Sequence, residues 1–193
     1  GVVGTLMSNL GMENSLKELE IPFVRTGVGD RHVIRALRER KWKLGGESSG
    51  HIICSDLTTT GDGVVAALQV LHAMSDTATP LNTLKKEMHK YPQKMLNIRI
   101  AGEFNLKKYP AIQKAVASAE NELGDRGRIL LRPSGTEPLV RVMVEGEDAY
   151  LVSKIVARVA EVVENEVGVT SGSVSYTHLR AHETPEHLVC RLL

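Results

Sequence analysis

The amino-acid sequence predicts an α/β chain in two parts: a small parallel-sheet α/β domain over residues 1–88, then a compact α+β domain over residues 89–168, with a disordered tail at 169–193. Three observations predict it. Through residue 75, short apolar runs alternate with stretches of helical periodicity, the order of strand–helix units in a parallel sheet. Between residues 94 and 167, three strand-like runs and two helical ones suit strands paired around a turn with both helices on one face. From about Thr170 no period survives, and the preceding helix already has its stop signal.

Each element has a local reason. Residues 2–7 form a short apolar run of the kind a buried parallel strand shows. Met12, Leu16 and Leu19 recur at helical spacing. Residues 21–26 read as a second strand, and Gly27-Val28-Gly29 turns the chain into a helix over residues 31–40 with Asp30 as its N-cap. Residues 43–56 read as extended and glycine-rich. Asp62 caps a helix over 64–74 that puts Val64, Leu68 and Leu71 on one face. Pro80 opens another over 81–89, which Tyr91-Pro92 breaks. In the second part, residues 94–100, 128–131 and 139–145 read as strands. A helix over 110–123 is ended by Gly124, and one over 148–167 is closed by Gly168.

Charge and length narrow the function classes. The 193 residues carry 24 Lys+Arg against 23 Asp+Glu, a net charge of +1 that removes the electrostatic case for a dedicated nucleic-acid or anionic-membrane binder. No apolar run reaches the roughly 18 residues of a membrane span. Two cysteines, Cys54 and Cys190, are too few for a disulfide framework, so a reducing cytoplasm is the expected compartment. The start, Gly1-Val2-Val3-Gly4, has neither an initiator Met nor a basic segment, and reads as a chain cut from something longer.

Two segments carry candidate chemistry. In Gly45-Gly46-Glu47-Ser48-Ser49-Gly50-His51, an extended backbone would point Glu47, Ser49 and His51 to one side. A carboxylate, a hydroxyl and an imidazole in a row match the adjacent hydroxyls of a sugar; a solvent-facing polar strand edge is the alternative. His51 is also a candidate general acid or base. In Arg132-Pro133-Ser134-Gly135-Thr136-Glu137-Pro138, a guanidinium, two hydroxyls and an open glycine N–H make a phosphate cradle that needs no metal. Its alternative is a hairpin loop with Arg132 paired to Glu137. Arg141, on the next strand, is expected to pair with a neighbouring carboxylate. In residues 58–63, helix capping explains Asp62. His178 and His182 in the tail stand four apart, yet nothing around them suggests a folded zinc module, and no metal site is expected.

The two glycine-rich motifs, in this order and about 85 residues apart, resemble those of the α-D-phosphohexomutase superfamily. The strings Val3-Gly4-Thr5-Leu6-Met7-Ser8-Asn9-Leu10-Gly11, Val28-Gly29-Asp30-Arg31 and Val142-Met143-Val144-Glu145-Gly146-Glu147 narrow the resemblance to its glucosamine-phosphate branch more than to phosphomannomutases. It covers roughly residues 1–167 and implies the third and fourth of the family's four domains. On this resemblance, Glu47, Ser49 and His51 bind the sugar, and Arg132, Ser134, Gly135 and Thr136 hold the non-transferring phosphate of a hexosamine phosphate. The family's phosphoserine loop and its Asp-x-Asp-x-Asp magnesium loop do not occur in this sequence. The resemblance therefore implies magnesium in a complete enzyme, no cofactor held by this fragment, and an isolated chain without mutase turnover. It also implies the missing N-terminal domains as partners. A stand-alone phosphosugar-binding module and a phosphomannomutase or phosphoglucomutase fragment are the alternatives. Residues 173–193 match nothing in the family, and Ser175-Tyr176-Thr177-His178-Leu179-Arg180-Ala181-His182-Glu183-Thr184 reads as appended sequence, with a native disordered extension as its rival.

Overall fold

A computed structural model describes residues 1–100, 102, 104–135 and 137–168 of the chain. The tail with its histidines and Cys190 lies outside the described residues, as does Thr136. The chain divides into two compact units, Gly1–Tyr91 and Pro92–Leu193. No described helix is long and apolar enough to cross a membrane.

The first unit is built on a four-stranded sheet of order β2-β1-β3-β4, from β1 (Val2–Thr5), β2 (Phe23–Thr26), β3 (Leu44–Gly46) and β4 (Ile52–Cys54). β1 pairs parallel with both β2 and β3, as the alternating pattern predicts. β4 departs from it by pairing antiparallel with β3. The segment 43–56 is thus a hairpin rather than one extended run, because Gly50 at φ 92° allows a tight turn that residues with a Cβ resist. Helices α1 (Leu10–Glu18), α2 (Asp30–Arg40), α3 (Gly63–Asp76) and α4 (Leu81–Leu84) complete the unit. α4 gives way to a 3₁₀ turn over Lys85–Glu87, so the expected helix to residue 89 is shorter.

The small core of this unit is Val3, Val33, Ala36, Leu37 and Ile53, which seats α2 on the sheet. Gly45 is required there: a Cβ on it would stand 2.7 Å from Val33 Cγ1 and 2.9 Å from Val3 O. Asn9 caps α1 by accepting the Gly11 N–H and also accepts the Tyr91 N–H, tying the start of the unit to its end. α3 is capped by Asp62 as expected, yet none of its residues is buried. Val64, Leu68 and Leu71 do share a face, and it is open to solvent.

The second unit is a three-stranded antiparallel sheet of order β5-β7-β6, from β5 (Gln93–Arg99), β6 (Gly127–Pro133) and β7 (Leu139–Gly146). α5 (Pro110–Leu123) and α6 (Ala149–Val167) pack on it, joining Leu96, Ile98, Val140, Val142 and Val144 to Ile112, Ile155, Val156 and Val159 in one core. Asp148 caps α6 through the N–H groups of Tyr150 and Leu151. Gly168 ends the helix as expected. Its backbone is extended, it bridges to Ile100, and a Cβ there would collide with Glu164 O.

Candidate functional site

In the first unit, the β3–β4 hairpin and the first turn of α2 bring three side chains together. Glu47 and His51 flank the turn, joined by a Glu47 N–H to His51 O bond of 2.9 Å. Glu47 Oε1 accepts the Gly29 N–H at 2.7 Å, and His51 Nδ1 lies 3.3 Å from Asp30 Oδ1. Ser49 sits exposed at the tip of the turn, so the expected row of Glu47, Ser49 and His51 along one side of a strand does not form. The role expected of Asp30 also changes. It is the first residue of α2, capped by Gly29 without a side-chain bond, and its carboxylate faces His51 instead.

Ligand atoms of Asp30, Glu47 and His51 all lie within 4.8 Å of one another. That spacing would suit a cation, but the carboxylates of Asp30 and Glu47 already face His51 and accept from Gly29. What the arrangement offers directly is acceptor and donor capacity for hydroxyl groups: Glu47 commits only Oε1, and the imidazole is 63% exposed.

In the second unit, the loop between β6 and β7 borders a cleft of about 290 Å³ lined by Ile100, Gly102, Phe104, Pro133, Ser134 and Glu137. The Gly135 backbone is open, with nothing within 4 Å of the place a Cβ would take. Ser134 anchors the loop through its N–H to Leu139 O at 2.8 Å. Arg141 meets Glu137 at 3.3 Å and Ser134 Oγ at 3.4 Å, so it has the neighbouring carboxylate expected of it. Arg132 does not: Glu137 turns to Arg141, and the alternative in which Arg132 pairs with Glu137 does not form.

Arg132 and Arg141 are paired residues across β6 and β7, and the Nε of each is buried without a hydrogen-bond partner. Burial, and then the Arg141 cation, push the Arg132 guanidinium below its ordinary pKa. Like charges placed opposite each other on neighbouring strands repel. On the same face two rows away, Arg128 stands opposite Glu145 and bonds to it, with the carboxylate fully buried. The Arg128 position therefore carries its counter-charge directly across the strands, whereas at the other position Arg141 has only the more exposed Glu137 of the loop and Arg132 has no carboxylate. An oxyanion meeting the outer N–H groups of the guanidinium would offset the repulsion between the two cations.

The sequence reading missed the facing of Arg141 toward Arg132 and of Asp30 toward His51. A usable signal existed for the first: residues equidistant from a hairpin's centre face each other, and Arg132 and Arg141 lie symmetrically about the segment 134–139. For the second there was none, since it depends on how the hairpin folds back on α2.

Residues 1–91 match the family model described as phosphoglucomutase/phosphomannomutase, alpha/beta/alpha domain III, and residues 95–162 match that of the C-terminal domain. The chain belongs to the phosphoglucomutase/phosphomannomutase family. Among curated proteins it is similar to the phosphoglucosamine mutase of Cellvibrio japonicus, 57% identical over 164 residues, which are 85% of this chain and 37% of that protein. The phosphoglucosamine mutase of Teredinibacter turnerae is 55% identical over 163 residues, 84% of this chain and 36% of that protein. The chain thus spans little more than a third of the length of these relatives. Among solved structures, the fold is similar to Aspergillus fumigatus N-acetylphosphoglucosamine mutase in complex with GlcNAc-6P and magnesium, with a TM-score of 0.67, 19% identity, and coverage of 86% of this chain and 38% of that one.

Proposed function

We propose that this chain is the sugar- and phosphate-recognising part of a phosphoglucosamine mutase, which interconverts glucosamine 6-phosphate and glucosamine 1-phosphate. The identity to phosphoglucosamine mutases supports the substrate, and the like-charged Arg132–Arg141 pair beside the open Gly135 loop carries the phosphate reading. Residues 1–88 act as the sugar-recognition domain and residues 89–168 as the phosphate-binding domain. Glu47 and His51 exchange hydrogen bonds with sugar hydroxyls, with Ser49 at the tip of the same turn. Ser134, Thr136 and the Gly135 N–H join the guanidinium of Arg132, and that of Arg141, on the phosphate that is not transferred. Among the described residues, His51 is the candidate for moving a proton to or from the sugar.

The remaining domains of the full-length protein are the partners of this chain and act in the cytoplasm. Magnesium belongs to them, where it would neutralise charge on the transferring phosphoryl group. This chain lacks the family's Asp-x-Asp-x-Asp run, and in its own cluster Glu47 already accepts from Gly29 and Asp30 faces His51. Isolated, the chain recognises and does not catalyse.

Calorimetric titration of the 193-residue chain with glucosamine 6-phosphate tests this. Arg132→Ala removes a charge-assisted contact worth roughly 1.5–3 kcal/mol, about 10- to 150-fold in affinity. It should leave the melting temperature unchanged or raised, because a like-charge repulsion goes with it. Unchanged affinity would reject the cradle. Equal affinity for mannose 6-phosphate and glucose 6-phosphate would reject the amino-sugar assignment.

A further inference from the structure

Two atoms of the first unit face each other in a way that only one arrangement of hydrogens satisfies. His51 Nδ1 lies 3.3 Å from Asp30 Oδ1. A carboxylate oxygen offers lone pairs and no hydrogen, so a bare Nδ1 at that distance would set lone pair against lone pair. The hydrogen therefore sits on Nδ1. A neutral imidazole carries only one, and the bond made by one nitrogen fixes the state of the other. Nε2 is left as an acceptor, with no protein partner among the described residues.

The surroundings hold the pair in this order. Asp30 is the inner member, 31% exposed against 63% for the imidazole. It leaves from the first turn of α2, and Gly61, in the loop after β4, backs onto both residues. A Cβ on Gly61 would stand 3.5 Å from Asp30 Oδ2 and 3.6 Å from His51 Cβ. Arg31, the next cation along the helix, is bonded through Nε to His32. Glu47, the other carboxylate within reach, uses Oε1 for the Gly29 N–H. An unconstrained neutral imidazole carries its hydrogen mainly on Nε2, so the contact with Asp30 selects the less favoured form.

We infer that Asp30 is a positioning residue: it holds the neutral His51 ring with its hydrogen on Nδ1, so that Nε2 meets the ligand as an acceptor. The inference rests on the sugar reading of this site for the ligand alone. With the Glu47 carboxylate beside it, the site presents two acceptors and takes groups that donate, a sugar hydroxyl or an ammonium. The same polarity sets the direction of proton movement. A neutral His51 takes a proton from a hydroxyl at Nε2, and the Asp30 carboxylate steadies the imidazolium that results.

Long-range proton–nitrogen NMR of the 193-residue chain tests this without any ligand, at about pH 8, above the ordinary imidazole range. His51 is assigned by the loss of its signals in His51→Gln, and His72, exposed on α3, supplies the pattern of an unconstrained ring. His51 should show the shifts of a ring protonated at Nδ1, the reverse of His72. Asp30→Ala should return it to the His72 pattern, while Glu47→Gln should leave it unchanged. Glucosamine 6-phosphate should move the wild-type Nε2 shift more than that of Nδ1, and should bind Asp30→Ala about three- to tenfold more weakly. A wild-type ring protonated at Nε2 overturns the assignment, as does an Asp30→Ala ring that keeps its hydrogen on Nδ1. The Nδ1–H pattern in a chain that binds no glucosamine 6-phosphate would reject the sugar reading and leave Asp30 in its role.

Discussion

Glu47 Oε1 accepts the backbone N–H of Gly29 across 2.7 Å, and this one bond ties the tip of the β3–β4 hairpin to the first turn of α2. It satisfies the N–H of the N-cap residue itself, while Asp30, the first residue of the helix, faces His51. The Glu47 carboxylate therefore has a structural role beside any ligand it meets.

Glu47→Ala should cost about 1–2 kcal/mol of stability, the range for losing a charged acceptor at a helix start. Glu47→Gln keeps an acceptor oxygen and should recover most of it. Chemical denaturation of the three chains checks this; equal midpoints for alanine and wild type would mean the bond carries no weight.

Glu145 is fully buried and bonded to Arg128, so cutting it leaves a guanidinium without its counter-charge. Glu145→Ala is expected to destabilise the second unit by about 3–5 kcal/mol, against far less for Arg128→Met combined with Glu145→Leu. Thermal melts of the single and double variants decide it. A double variant as unstable as the single would show that packing, rather than charge, sets the cost.

Asp62→Ala removes the acceptor for the Val64 and Val65 N–H groups at 2.8 and 3.0 Å. A loss of about 1 kcal/mol follows, or roughly 4–8 °C in the melting of a unit of this size. Affinity for glucosamine 6-phosphate should not change, since the residue acts through helix α3 alone.

Leu68 and Leu71 are 56% and 57% exposed on α3. Leu68→Glu with Leu71→Lys should leave stability within about 0.5 kcal/mol and suppress self-association. Light scattering against concentration, paired with a melt, measures both; a large drop in melting temperature would reveal that these leucines pack.

Much of the fold was legible because its punctuation is local. Pro110, Gly124 and Asp148 each act within one helical turn, and each bounds its helix as read. Asp30 has the same local signature as Asp148 but not the same role, because the helix starts one residue earlier, on Gly29, and leaves Asp30 inside its first turn. The hairpin was hidden for a related reason: Gly45-Gly46-Glu47-Ser48-Ser49-Gly50 is compatible with an extended strand or a turn, and only pairing between β3 and β4 decides. The phosphate loop was legible as a composition. Its strongest feature, two guanidinium groups face to face, is a property of register that a reading of the loop by itself does not contain.

The strand order of the second unit has a consequence for synthesis. β7 lies between β5 and β6 and is the last of the three to be made. Neither earlier strand can find its partner while the ribosome is still upstream of Leu139. The nascent β6, with Ile129, Leu130 and Leu131, must wait unpaired and apolar until β7 emerges to join it to β5. In the first unit β1 and β2 can pair as soon as Thr26 is out. The two halves of the chain therefore face different hazards during translation: one can assemble as it grows, and the other depends on its final strand arriving before something else captures the edge.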